Sequence, residues 1–249
     1  MQPQALDSLY RQYLNMDAIF IQSFDKEIIN KKLERLIARI FENLDNKRTK
    51  IFVFLNIQSI SIIDKLKLPP KCNIGFIYVD EENVTNPTTR IFQFLINYKI
   101  DEFKKILLLE SDCFLLKGFD KKLIEFEGSI NKPWYIIGST YYGNMPWMND
   151  EKYASERKNH MNGVAIYNRS KDFINFINYI FISNEMERDH TNYDFAMHIY
   201  SPSFGIRSEY IDCPYILNIS NGTYDTNLTH HELKPDAVVI HTKNETYYT

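Results

Sequence analysis

Two carboxylates stand one residue apart, directly after an aliphatic run at residues 106–109. The segment reads Glu110-Ser111-Asp112. A chain with 32 acidic residues among 249 contains several acid-x-acid triplets by chance, but only this one directly terminates a long aliphatic run. Carboxylate oxygens suit a hard divalent cation such as Mn²⁺ or Mg²⁺, which can share further ligands with a diphosphate. The segment is therefore a candidate metal site, and a solvated strand end is the alternative.

The elements ahead of this segment alternate between strand and helix. Apolar runs predict strands at 18–22, 50–56, 73–79 and 105–109. Helical spacing predicts one helix beginning near Asp25, whose apolar residues are Ile29, Leu33, Leu36, Ile40 and Leu44. Further helices are expected at about 60–67 and 88–103. This order predicts a parallel sheet covered on both faces, with ligands beyond the carboxyl ends of its strands.

The second half of the chain is less regular. Strands are expected at 134–138 and 163–167, a helix at about 170–183, and short strands near 206–211 and 238–241. Residues 141–159 form a long polar and aromatic segment that includes Trp147. No repeat or Gly/Ser linker marks a boundary, so residues 1–249 are expected to form a single domain, with 1–113 as its nucleotide-binding half. The C-terminal tail is expected to bury little of the core.

Composition excludes several classes of function. The 29 basic and 32 acidic residues give a net charge of −3, so no basic field attracts nucleic acid. The chain has three cysteines, no apolar run of transmembrane length and no signal-peptide pattern, which predicts a cytoplasmic protein without a membrane span. No GxGxxG or GxxxxGK[ST] motif supports a dinucleotide or P-loop site.

The element order and the acidic motif resemble the GT-A glycosyltransferases, which use nucleotide sugars. Glu110-Ser111-Asp112 is similar to their Asp-x-Asp motif, with Glu in place of the first Asp. The resemblance spans nearly the whole chain and implies an α/β, Rossmann-like, mostly parallel sheet flanked by helices. It also implies Mn²⁺ or Mg²⁺, a nucleotide diphosphate sugar donor, and a glycan or glycoprotein acceptor bound by the half at 114–249. The compact format and the composition resemble the small transferases of large DNA viruses, which would place the protein in the host cytoplasm.

The resemblance assigns roles to individual residues. Glu110, Asp112 and His241 would hold the metal, and Arg90, Ser111 and Lys243 would contact the donor. Asn162 and Gly163 look like the family's Asn-Gly segment beside the acceptor, and the ring of Trp147 offers a face on which a sugar could stack. Asp194 resembles the acid that many of these enzymes place beside the acceptor, where it would be the catalytic base.

Each of these residues has a plainer alternative. His241 could be an exposed strand-end histidine, and Lys243 a solvated charge. Arg90 could pair with one of the acids at 80–82, and Trp147 could pack under its own loop. Asn162-Gly163 could be a turn. Asp194 could be a helix cap, with Asp189 and Asp150 as substitutes for the base.

The sequence thus predicts a metal-dependent glycosyltransferase that moves a sugar to an acceptor hydroxyl. A nucleotidyltransferase would use the same carboxylates on a nucleoside triphosphate. A nucleotide- or glycan-binding module could keep the fold without turnover, because a fold does not by itself determine function.

Overall fold

The computed structural model describes residues 16–56, 59–70, 72–79, 102–140, 161–182, 197, 204–205, 210–219 and 234–242. The strands are β1 (Ala18–Gln22), β2 (Lys50–Asn56), β3 (Ile74–Val79), β4 (Lys105–Glu110), β5 (Cys113–Leu115), β6 (Ile136–Thr140), β7 (Met161–Asn168), β8 (Tyr210–Asp212), β9 (Ile216–Ile219) and β10 (Val239–Thr242). The helices are α1 (Asp25–Ile29), α2 (Lys32–Asn43), α3 (Ile60–Ile63), α4 (Phe119–Ser129) and α5 (Lys171–Ile182). No helix in these ranges is long and apolar enough to cross a bilayer.

A seven-stranded sheet in the order β3-β2-β1-β4-β7-β6-β8 forms the centre of the protein. Its strands run parallel except β7, which is antiparallel to both β4 and β6. The chain builds outward from β1 through β2 to β3 and then returns to place β4 on the other side of β1. The strand order therefore reverses between β1 and β4, and the crevice at such a point is where open α/β sheets bind ligands.

Both faces of the central strands β1 and β4 are buried, as the aliphatic run of β4 predicted. Alternate residues of β1 and β4 enter two different apolar cores. Ile19, Ile21, Leu107 and Leu109 lie in the core that also holds α2. Ala18, Phe20, Ile106 and Leu108 lie in the core that also holds α5. Burial on both faces explains why these strands read as unbroken aliphatic runs.

A second sheet of three strands, in the order β5-β10-β9, holds the end of the described chain. Its central strand, β10, pairs antiparallel with β5 and parallel with β9. All four residues of β10 are buried. The expectation that the tail buries little core is therefore wrong for 238–242, and removing the residues after Ile240 would delete the buried side chains of His241 and Thr242.

The helix expected from Asp25 onward is two helices. Asn30 closes α1, and Lys31 adopts a left-handed conformation with φ of 64° before α2 begins. The carboxamide Oδ1 of Asn30 accepts the backbone N–H of Lys32 at 3.1 Å. The break changes the helical phase, so that Ile28 is buried and Ile29, which a continuous helix would bury, is 66% exposed.

Other differences from the sequence-based prediction concern three short elements and one helix of 11 residues, α4. The sequence pattern missed β5, β9 and α4, and α3 is only four residues long. Of the helix expected at 88–103, the last two residues are not helical and the rest lies outside the described ranges, as does the aromatic segment at 141–159. Strands of three or four residues are too short to show an alternating pattern in the sequence. They form because tertiary pairing, and not local pattern, selects them.

Candidate metal centre

The acidic motif lies where β4 passes directly into β5. Glu110 is the last residue of β4 and pairs in register with Gln22 at the end of β1, at the point where the strand order reverses. Asp112 precedes β5, which pairs with β10 so that Cys113 lies opposite His241. The backbone N–H of Thr242 donates to the carbonyl oxygen of Asp112 at 3.3 Å. Strand pairing therefore holds Asp112 next to His241, although the two residues are 129 positions apart in the sequence.

Three side chains converge at this point. The Nε2 atom of His241 lies 2.9 Å from Oδ1 of Asp112 and 3.4 Å from Oε2 of Glu110. One ligand atom from each residue can be chosen so that all three lie within 4.8 Å of one another. The side chains of His241, Asp112 and Glu110 are 2%, 12% and 33% exposed. The histidine thus forms the floor of the site, and Glu110 stands at the side open to solvent.

The charges of this cluster are strongly coupled. Burial alone would lower the pKa of His241, but the nearby carboxylates of Asp112 and Glu110 raise it to about 10. Burial opposes ionisation of Asp112, yet attraction to His241 and the hydrogen bond between them leave the pKa of Asp112 below its usual value. Without a cation, an imidazolium therefore neutralises part of the carboxylate charge.

The donor set fits a divalent cation. Two carboxylates and one imidazole supply hard oxygen ligands and a nitrogen ligand, a combination that suits Mn²⁺ and leaves room for ligands from a bound diphosphate. Burial raises the pKa of the neighbouring thiol, Cys113, well above its usual value, so this sulfur remains protonated and is unsuited to ligation. The structure places His241 beside both acids and buries its side chain, so His241 is not an exposed strand-end histidine.

Glu27 is a further neighbour of the site, and the acidic motif gave no indication of it. Its Oε2 atom accepts the backbone N–H of Phe24 at 2.6 Å, and its carboxylate accepts a hydrogen bond from the hydroxyl of Ser111. Burial is the largest influence on Glu27 and raises its pKa. A glutamate three residues after a helix N-cap is a known start signal, and that signal was available in the sequence. Glu27 thus connects α1 to the acidic motif through hydrogen bonds. One of these bonds uses the hydroxyl of Ser111, the residue that was expected to contact the donor.

A buried lysine fixes the segment that leads into β10. The ammonium of Lys234 donates to Oδ1 of Asp212 at 2.9 Å and to the carbonyl oxygens of Cys213 and Ile216 at 2.8 and 3.1 Å. It also lies 3.3 Å from the hydroxyl of Ser139. Lys234 thereby joins the end of β6, the turn between β8 and β9, and the start of the tail.

The expected acceptor segment reaches the same edge of the sheet. Asn162 and Gly163 are the second and third residues of β7, so they form part of a strand and not a turn. Since β7 is antiparallel to β4 and pairs Ala165 with Leu108, its first residues extend past the carboxyl end of β4. Arg90, Trp147, Asp194 and Lys243 lie outside the described residues.

Comparison with known proteins identifies the fold. No protein-family model and no curated protein sequence matches the chain. Among solved structures, the chain is similar to the bifunctional glycosyltransferase WbbM in its apo form, with a TM-score of 0.58 and 14% identity over 93% of this chain. It is also similar to the galactosyltransferase LgtC in complex with donor and acceptor sugar analogs, with a TM-score of 0.59 and 14% identity over 91% of this chain.

The coverage of the two neighbours differs. The chain spans 46% of the WbbM chain, which is less than half, and 87% of the LgtC chain. The mostly parallel seven-stranded sheet with flanking helices matches these enzymes. The protein therefore has the GT-A fold, which confirms the fold expected from the acidic motif and the element order.

Proposed function

We infer that the protein is a metal-dependent glycosyltransferase that moves a sugar from a nucleotide diphosphate sugar to a hydroxyl of a glycan or glycoprotein. The observation that carries this proposal is the cluster of Glu110, Asp112 and His241 at the reversal of strand order in a GT-A fold. The structural neighbours are named as glycosyltransferases, and one of them holds donor and acceptor sugar analogs, which supports the same class of reaction.

Each part of the site has a proposed role in this reaction. Glu110, Asp112 and His241 would hold Mn²⁺ or Mg²⁺, and the bound ion would supply Lewis-acid stabilisation of the charge on the departing diphosphate. Arg90, Ser111 and Lys243 bind the donor. The edge of the sheet at Asn162 and Gly163, together with Trp147, binds the acceptor. Glu110 is the more exposed of the two acids, so we assign the entry of the diphosphate to its side of the site.

A panel of nucleotide sugars tests the proposed function. We expect the protein to release nucleoside diphosphate from a UDP- or GDP-sugar when Mn²⁺ and a glycan acceptor are present, and to stop when EDTA is added. Chromatography would measure the nucleotide and the product. Release of pyrophosphate from a nucleoside triphosphate would instead indicate a nucleotidyltransferase, and binding without any product would indicate a module without turnover. Either result contradicts the proposal.

Asp194 is the proposed catalytic base. An inverting transferase needs a base on the face of the sugar opposite the diphosphate, where the metal-binding acids cannot lie. We expect Asp194→Asn to lower turnover by roughly 10²–10⁴-fold while nucleotide affinity and the melting temperature stay unchanged. Turnover, calorimetric titration and thermal unfolding would be measured on the same preparation.

Two controls decide whether this effect belongs to Asp194. Asp189→Asn makes the same chemical change nearby in the sequence and should leave turnover within about threefold of the unsubstituted protein, since general base catalysis depends on one positioned group. A loss of stability with intact activity would identify Asp194 as a helix cap. A product that retains the anomeric configuration of the donor would remove the base role altogether, so NMR of the product is the first measurement.

A further inference from the structure

The second ring nitrogen of His241 is a feature that the proposed site does not explain. Its Nε2 atom faces Asp112 and Glu110, whereas Nδ1 is buried and makes no hydrogen bond within the part of the chain that the structure describes. Histidines that bind a metal through one nitrogen almost always donate the other N–H to an acceptor, which fixes the tautomer and the direction of the ring. A metal-binding His241 therefore needs an acceptor near Nδ1.

The pairing of β10 with β9 places Asn218 beside this histidine. His241 and Asn218 are partners in register in two parallel strands, which lie about 4.8 Å apart. Partners in register project from the same face of a sheet. Asn218 is fully buried and His241 is nearly so.

The burial pattern of the three-stranded sheet identifies that face. Two residues before Asn218 and His241, the side chains of Ile216 and Val239 lie in the main core. The intervening residues Leu217 and Ile240 lie in a separate small core on the other face. Because side chains alternate along a strand, Asn218 and His241 share the face of the main core. The carboxamide and the imidazole are thus neighbouring polar groups at the end of an apolar surface.

We propose that Asn218 is the positioning residue for His241: when a cation binds Nε2, the carboxamide oxygen of Asn218 turns to accept the Nδ1–H, a hydrogen bond that is not formed in the structure. A carboxamide suits this task because it offers an acceptor without adding a third negative charge. The partner of His241 on its other side, Cys113, is a poorer candidate. A thiol is a weak acceptor, and this one already has a hydrogen bond with the backbone of Glu110.

This inference rests on the proposed metal site, and titration of the full chain with MnCl₂ tests the two separately. Asn218→Leu removes the acceptor at similar volume, and we expect it to weaken Mn²⁺ binding by about 10–100-fold. Asn218→Asp keeps an acceptor and should bind within about threefold of the unsubstituted protein, since a carboxylate serves the same purpose. Leu217→Ala, on the same strand but the opposite face, controls for general loosening of β9.

The outcomes separate the two claims. An unsubstituted protein that binds no Mn²⁺ would contradict the metal site itself and with it the role of Asn218. Normal binding by the unsubstituted protein and by Asn218→Leu would contradict only the role of Asn218. Equal weakening in Asn218→Leu, Asn218→Asp and Leu217→Ala would show that the position matters for packing alone, which also overturns the proposal.

NMR of the unsubstituted protein provides a test that needs no variant to fold. With Mg²⁺ bound, we expect a protected Nδ1–H resonance for His241 and a nuclear Overhauser contact between this proton and the side-chain amide protons of Asn218. In Asn218→Leu the Nδ1–H resonance should move upfield, because a hydrogen-bonded proton is deshielded. An Nδ1–H resonance that is far from Asn218 would overturn the proposal.

Discussion

Asp112→Asn is expected to abolish cation-dependent binding of nucleoside diphosphates. Asp112 is the acid held closest to His241, at 2.9 Å, and its carboxylate is largely buried. The substitution removes a ligand of the cation. The loss of affinity should therefore exceed the roughly 10–100-fold loss that is typical when a residue supporting a ligand is removed. We therefore expect the affinity for UDP or GDP in the presence of Mn²⁺ to fall by at least about 100-fold. Calorimetric titration of the protein with UDP or GDP, once in Mn²⁺ and once in EDTA, would measure this affinity.

Asp236→Asn is a matched control for this substitution. It makes the same chemical change at an exposed residue on the segment that leads into β10, and it should leave the affinity unchanged. Equal nucleotide affinity in Mn²⁺ and in EDTA, or normal binding by the Asp112→Asn protein, would contradict the metal site. Thermal unfolding of both variants without cation would separate a lost ligand from a lost fold.

Cation binding is expected to release about one proton at pH 7.5, and the proton comes from His241. Because the carboxylates raise the pKa of His241 to about 10, Nε2 is protonated in the cation-free protein at this pH and must lose its proton to bind a metal. The apparent affinity for Mn²⁺ should then rise about tenfold for each pH unit between about 6 and 8. Titrations in buffers with different ionisation enthalpies would count the protons.

His241→Gln should bind the cation more weakly and release no proton. A proton count near zero in the unsubstituted protein would show that His241 is already neutral, and would contradict this prediction. An unchanged proton count in His241→Gln would assign the proton to another group.

The same histidine links the stability of the cation-free protein to pH. Its pKa is higher in the folded chain, about 10, than the ordinary value of 6.5 expected after unfolding. The stabilising contribution is therefore complete below about pH 6.5 and is lost as the pH rises through 10. The lowered pKa of Asp112 acts in the opposite direction, so its contribution is present above about pH 4 and is lost in acid.

Local pattern in the sequence was enough to predict the central strands and the position of the acidic motif. The unbroken aliphatic runs of β1 and β4 identified strands buried on both faces, because a strand covered on both sides has no polar alternation. The position of Glu110 and Asp112 followed directly, since two acids immediately after such a strand must lie at its carboxyl end. The Glu-x-Asp segment and the element order together were enough to predict the GT-A fold.

The sequence assigned His241 to these acids only through a family resemblance, and the physical reason for their contact is found in the tertiary structure. His241 lies 129 residues from Asp112 in sequence, and only the insertion of β10 between β5 and β9 brings the imidazole onto the carboxylates and buries it. The high pKa of His241, the contact of Glu27 with Ser111 and the placement of Asn218 beside His241 all depend on this arrangement. Periodicity describes only neighbours along the chain, whereas strand pairing and desolvation arise between distant segments, and these set the chemistry of the site.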